Sequence, residues 1–149
     1  QPLTTMESLW LAVDEGLDTR KGIEVAFEEA TGLVTLTDKP ANPYMDSTMT
    51  VRHAQSDLVY FGQKAFTIEG VETLAVVVLG DFTDKYGNEI VDDAVRITIN
   101  KDQFQKYKWE NLVGLSLEQQ LAESTDEYYV HPAVLLEVNP SKLHLETAP

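Results

Sequence analysis

The chain has 149 residues, no cysteine and a formal net charge of -14 at pH 7. A chain of this length buries a core of its own, so it needs no disulfide or structural metal to fold. The absence of cysteine excludes thiolate catalysis and cysteine-based zinc sites. The longest apolar run, 74–79, is far shorter than the roughly 18 residues of a membrane span.

The negative charge is spread along the chain. Residues 1–50 carry a net charge of -6, residues 51–100 carry -4, and residues 101–149 carry -4. Nucleic acids and anionic membranes are bound by clustered Lys and Arg side chains, so we expect neither as a direct partner. We predict a soluble protein that binds another protein and needs no cofactor.

The first segment predicts a helix. Thr4 and Glu7 have the spacing of a capping box, and apolar residues recur every three or four positions along 6–17. Gly16 stands where a left-handed C-terminal cap is common.

The segment 18–33 fits two structures. Ile23, Ala26 and Phe27 fall on one helical face, and a Gly-Leu pair ends the segment. Ile23, Val25 and Phe27 also alternate as in a strand. We predict a second helix, with a strand as the alternative.

The middle of the chain is rich in β-prone residues. We predict strands at 33–38, 48–54, 57–61, 64–70, 71–81 and 94–100. The strand at 71–81 is apolar on both faces in its core, so we place it centrally. In 94–100, Val95, Ile97 and Ile99 alternate with polar residues.

The C-terminal third returns to short helices. Asn100 and Gln103 predict a capped helix, and Ser116 can cap a second one at 116–124. A closing strand at 128–138 is limited by Pro132, because proline belongs at the edge or start of a strand. The order of elements predicts one acidic α+β domain over residues 1–149, with two N-terminal helices, a mainly antiparallel sheet and short C-terminal helices.

The densest group of carboxylates lies in the segment 79–93. Its members are Asp81, Asp84, Glu89, Asp92 and Asp93. Carboxylates this close repel unless a cation lies among them, so they are a candidate cation-binding site. The register of an EF-hand fails from either leading aspartate, because the sixth residue is not glycine.

The same segment has a simpler interpretation as a β-hairpin. Gly87 and Asn88 both tolerate positive φ and are typical turn residues. Thr83, Asp84, Gly87 and Asn88 form a turn that resembles one in bacterial immunoglobulin-like adhesin domains. The likeness covers only this hairpin and does not extend to the helical first quarter.

The sequence contains no recognisable motif for catalysis, for a histidine metal site or for phosphate binding. His53, His131 and His144 lack a second histidine at ligand spacing, so we predict no metal site. The chain has no nucleophile elbow and no glycine-rich phosphate loop. Tyr107 and Trp109 stand among lysines and are candidate interface anchors, with core packing as the alternative.

Three functions remain open. The leading prediction is a non-catalytic protein-interaction or structural module, exported or periplasmic, which is not an enzyme. The second is an acidic mimic of DNA that inhibits a basic protein. The third is a small enzyme or ligand-binding protein. It predicts a deep cavity with a carboxylate of raised pKa beside His53 or His131.

Overall fold

A computed structural model describes residues 3–17, 19–40, 47–111, 121, 123 and 125–135. Its elements are α1 (Thr5–Gly16), β1 (Ile23–Glu28), β2 (Leu33–Asp38), α2 (Ser47–Ala65), β3 (Thr73–Thr83), β4 (Glu89–Asn100), α3 (Lys101–Gln105), a 3-10 turn (Trp109–Asn111), β5 (Glu127–Val130) and α4 (Pro132–Leu135). Most of the predicted helix at 116–124, and the chain after 135, lie outside the described residues.

The strands form one five-stranded sheet in the order β1-β2-β3-β4-β5. β2 and β3 are parallel and are connected through α2, whereas the other three pairs are antiparallel. The predicted α+β class is therefore confirmed. The sheet is mixed, because a helix between two neighbouring strands returns the chain to its starting end and makes them parallel.

The core lies between one face of the sheet and the helices. α2 contacts α1, β3 and β4, and α1 contacts β1. Residues paired across strands share a face, so the register places Leu36, Val76 and Ile97 side by side, all fully buried. The α3 residue Phe104 packs at the same core, where a Cβ on Gly62 of α2 would lie 2.7 Å from its ring.

The N-terminal helix confirms its predicted start and corrects its predicted end. Thr4 and Glu7 form the capping box, each side chain bonded to the other's backbone N–H. Gly16 is the last residue of α1 and not a left-handed cap. Its role is close packing, since a Cβ there would lie 2.7 Å from the backbone oxygen of Tyr60 on α2.

The predicted second helix is wrong, and the alternative strand is correct. Residues Ile23–Glu28 form β1, which pairs with β2 along its whole length. Gly22 precedes β1 and Gly32 lies in the turn between β1 and β2, with φ values of 79° and 73°. Such left-handed positions suit glycine and interrupt a helix, so the residues between them form a strand and a turn that leads into β2.

The predicted strands at 48–54 and 57–61 are also wrong. Both belong to α2, a helix of 19 residues, and the strand predicted at 64–70 is its end and the turns after it. A continuous stripe at helical spacing is fully buried along α2. Its members are Val51, Ala54, Leu58, Phe61 and Ala65. Burial of this stripe outweighs the β-propensity of the individual residues.

The C-terminal predictions hold in part. Asn100 caps α3 by accepting the backbone N–H of Gln103 at 2.8 Å, as predicted. The closing strand is shorter than predicted, because β5 ends at Val130 and Pro132 begins α4. Proline has no N–H to lose at the first position of a helix. Within the part of the chain that the structure describes, no helix is long and apolar enough to cross a membrane.

Candidate functional site

Three side chains from β2 and α2 meet at the end of β2. Asp38 is the last residue of β2 and lies on the core face of the sheet. His53 and Asp57 are four residues apart on α2, so they lie one above the other on one side of the helix. His53 Nε2 lies 2.7 Å from Asp38 Oδ2 and 3.6 Å from Asp57 Oδ2.

Both carboxylates are buried, whereas the histidine reaches solvent. The side chains of Asp38 and Asp57 are each 6% exposed, and that of His53 is 39% exposed. Gln55 is also buried, but its amide donates to Tyr128 Oη at 2.5 Å. Asp57 Oδ2 accepts no hydrogen bond from a described residue. As a carboxylate oxygen it is therefore buried without a donor, and a hydrogen bond between the carboxyl groups of Asp57 and Asp38 requires a proton that one of them keeps.

Asp57 is the protonated member of the carboxyl pair. Burial, reinforced by the hydrogen bond and charge of neighbouring Asp38, raises the pKa of Asp57 to about 10. Asp57 therefore carries a proton at neutral pH. Two carboxyl groups this close cannot both be ionised cheaply, and that proton can be shared with Asp38.

Asp38 is the ionised member of the pair. Burial raises its pKa, but hydrogen bonds from His53 and Asp57 and the charge of His53 outweigh burial, so the net pKa is lowered. The hydrogen bond to Asp38 raises the pKa of His53, against the opposing effect of its own partial burial. Because Asp38 is an acceptor, His53 Nε2 carries the hydrogen of the bond between them.

This arrangement is suited to two kinds of chemistry. An imidazole oriented by a carboxylate and open to solvent can exchange a proton with a bound molecule. The same atoms are also metal ligands. Within the described ranges, Asp38, His53 and Asp57 are the one group of His, Asp or Glu whose three donor atoms lie within 4.8 Å of one another.

The structure does not bring the predicted hairpin carboxylates together. The prediction concerned Asp81, Asp84, Glu89, Asp92 and Asp93. Asp84 caps the turn, since its Oδ1 accepts the backbone N–H groups of Tyr86 and Asn88 at 2.9 Å each. Gly87 has a φ of 85°, as the turn interpretation requires.

The strand carboxylates of the hairpin have separate neighbours. Asp93 Oδ2 lies 2.7 Å from Arg96 Nη1, and Asp81 Oδ1 lies 3.6 Å from Lys39 Nζ. Asp92 occupies the position next to Asp93, so it points to the opposite face of the ribbon. The register places Asp81, Glu89 and Asp93 on one face, but among the described residues these carboxylates form no group of three whose oxygens lie within 4.8 Å of one another. A cation site there stays a prediction.

The predicted interface anchors lie at the core. Trp109 is 4% exposed, and its indole N–H donates to the backbone oxygen of Phe104 at 2.9 Å. Tyr107 packs against the hydrophobic core, with its ring centroid 5.2 Å from that of Trp109. Their geometry is that of the core-packing alternative, and an interface role stays a prediction.

The other histidines lie apart from the cluster. His131 stacks on Phe82 with ring centroids 3.9 Å apart, and its Nε2 is 3.7 Å from Asp92 Oδ2. Its Nδ1 accepts the backbone N–H of Ala133 at 3.0 Å, which fixes the start of α4. His144 lies outside the described residues.

Sequence reasoning missed Asp38 and Asp57 as site residues. The signal that could have found Asp57 is its position four residues after His53. That spacing brings two side chains together on a helix, whereas four residues of a continuous extended strand span about 13 Å. The prediction of two separate strands also gave no reason to place the two residues together. Asp38 gives no such signal, because only the fold brings it to α2.

The chain was also compared with known proteins. No family model, no curated protein and no solved structure matches it.

Proposed function

We propose that the chain is a small enzyme or ligand-binding protein whose site is the cluster of Asp38, His53 and Asp57. The observation that carries this proposal is the buried Asp57 Oδ2, which accepts no hydrogen bond from a described residue. It lies 3.6 Å from an imidazole that is reachable from solvent. The proposal adopts the third hypothesis from the sequence, which expects a carboxyl group of raised pKa beside His53 or His131 in a deep cavity. The cavity stays a prediction.

A purely structural role explains the cluster poorly. A buried polar atom without a partner costs about 1–3 kcal/mol, whereas an apolar or amide side chain of similar size would avoid that cost. Buried carboxyl pairs are costly in the same way, because their charges are desolvated. Groups that a fold keeps at such a cost are typical of binding and catalytic sites.

The three residues can divide the work of binding. Asp38 orients the imidazole of His53 through the 2.7 Å hydrogen bond. Asp57 offers an oxygen and a proton at the inner side, and His53 is the group that an entering molecule meets first. The cluster is suited to a small polar or cationic ligand that replaces the proton shared by the carboxyl groups.

Replacing Asp57 tests whether the cluster is functional or structural. An amide at position 57 keeps a donor to Asp38 without the cost of holding a proton at neutral pH, so we expect Asp57→Asn to raise the free energy of unfolding by about 1 kcal/mol or more. Urea unfolding of the full chain measures it. The matched control is Asp92→Asn, because Asp92 is about half exposed and pairs loosely with a histidine.

The result has a clear contrary outcome. Loss of stability by more than about 1 kcal/mol in Asp57→Asn, with no change in the control, would assign the cluster to the stability of the fold and remove the proposal.

A protein-interaction module is a second candidate. It is supported by the hairpin formed by the ends of β3 and β4, where Tyr86 is 76%, Val91 52% and Ile90 39% exposed. Apolar side chains among carboxylates favour a partner with basic and apolar groups. The DNA-mimic hypothesis has no comparable support and stays a prediction.

A further inference from the structure

We propose that Asp38, His53 and Asp57 bind one divalent transition-metal ion of the zinc class. This inference rests on the proposed function, because it names the ligand of the same site. It follows from the positions and chemistry of the three donors.

The distances are close to those of a metal centre. A tetrahedral ion with bonds of about 2.1 Å holds its ligand atoms about 3.4 Å apart. His53 Nε2 and Asp57 Oδ2 are 3.6 Å apart, and all three donor atoms lie within 4.8 Å of one another. The 2.7 Å contact between His53 and Asp38 is a hydrogen bond. An ion that replaces its proton requires these two atoms to separate by several tenths of an ångström.

The unpartnered oxygen provides the second, independent observation. Asp57 is 4% exposed, and its Oδ2 accepts no hydrogen bond within the described part of the chain. This oxygen faces the same space as His53 Nε2. A bound cation would supply the missing partner, and buried charges in proteins are commonly paired or metal-bound.

The donor set selects the class of ion. Two carboxylates balance the charge of a divalent cation, and an imidazole nitrogen favours zinc and neighbouring transition metals. Calcium and magnesium take oxygen ligands, usually six or more, so a site with one histidine is a poor fit for them. Three protein ligands leave a position open, which in catalytic zinc sites is held by water or substrate.

The backbone positions the donors with little freedom. Asp38 is fixed by pairing to both neighbouring strands, at Ile23 of β1 and Val78 of β3. His53 and Asp57 are fixed by α2, whose buried stripe packs on β3 and β4. Ligands on rigid elements reduce the cost of organising a metal site.

Calorimetric titration of Zn²⁺ into the full chain tests the proposal. The protein is produced without a histidine tag and is freed of metal with a chelator that is then removed. We expect one Zn²⁺ per chain, and at least tenfold weaker binding in His53→Gln and in Asp57→Asn. Ca²⁺ is expected to bind far more weakly than Zn²⁺. Thermal unfolding of each variant establishes that it is folded before titration.

The matched controls are His131→Gln and Asp92→Asn. They remove the same kinds of side chain from a histidine–aspartate pair that lies 3.7 Å apart on other elements. Unchanged Zn²⁺ binding in both controls supports the assignment to Asp38, His53 and Asp57. Absence of Zn²⁺ binding, or equal losses in the two sets of variants, would overturn it.

The stability of Asp57→Asn separates a failure of the metal proposal from a failure of the proposed function. If Zn²⁺ does not bind while Asp57→Asn is more stable than the wild type, the metal is excluded and the binding site remains. If Asp57→Asn is clearly less stable as well, both the metal and the binding site are excluded.

Discussion

Asp57 determines the chemistry of the cluster because, among the described residues, its Oδ2 is the buried side-chain atom without a hydrogen-bond partner. Its side chain is almost fully buried, its Oδ2 lacks a hydrogen bond from a described residue, and its nearest charged neighbours are Asp38 and His53. A buried carboxyl group in this situation keeps its proton. The proton neutralises Asp57 and lets Asp38 remain ionised for His53.

The proton on Asp57 makes stability depend on pH. In the unfolded chain this carboxyl loses its proton near its ordinary pKa of 3.8, whereas in the folded protein the pKa is raised to about 10. The folded state therefore binds more protons between these values, and the free energy of unfolding falls as pH rises. The raised pKa of His53 acts in the same direction: its contribution is fully present below the unfolded pKa of 6.5 and is lost as pH rises through the higher pKa of the folded state.

Asp57→Asn isolates this effect. We expect the free energy of unfolding of the metal-free protein to fall less steeply between about pH 5 and pH 9 in Asp57→Asn, by the equivalent of about one proton. Urea unfolding at several pH values measures both slopes. Parallel slopes would mean that Asp57 is ionised in the folded state and that the proton assignment is wrong.

At the scale of elements, α2 positions the site and was also the hardest element to predict. Its sequence contains short β-prone runs, and Val51, Val59 and Tyr60 all favour strands as individual residues. The helix forms because its stripe of apolar residues meets the sheet and α1 along its length. Interpreting 48–61 as two strands separated His53 from Asp57 and concealed the cluster.

The β3–β4 hairpin is the element on which the interaction hypothesis depends. Tyr86 and Val91 are exposed, so Tyr86→Ser and Val91→Thr are expected to change the free energy of unfolding by less than about 0.5 kcal/mol. The test is to capture partners from the source extract on immobilised protein and to elute them with salt. If the hairpin is the binding surface, both variants capture less of any partner that the wild-type protein captures. Retention equal to that of the wild type would exclude the hairpin as the interface.

At the scale of the whole molecule, local patterns predicted the elements whose structure is decided locally. Three local patterns each predicted their element without any knowledge of tertiary contacts. They are the capping box at Thr4 and Glu7, the apolar run of β3 and the alternation of β4. β1 and α2 depended on tertiary packing, which a single sequence does not display. The site shares this limit, since Asp38 and Asp57 meet only after β2 and α2 have packed together.

The fold and the proposed site depend on each other through α2. The helix connects two parallel neighbours, so its first turns lie beside the end of β2 where Asp38 is the last residue. Packing of α2 beside β2 brings Asp38 of the sheet into contact with His53 of the helix, and Asp57 lies on the same side of that helix. The acidic surface, with a net charge of -14, also favours the approach of cations.

The nitrogen resonances of the His53 side chain test the central claim most directly. We predict that in metal-free protein at neutral pH Nε2 carries a hydrogen bonded to Asp38, that His53 titrates above its ordinary pKa, and that Zn²⁺ shifts the Nε2 resonance selectively. Asp57→Asn should abolish the Zn²⁺-dependent shift. A His53 that titrates as a free histidine and does not respond to Zn²⁺ would contradict the account.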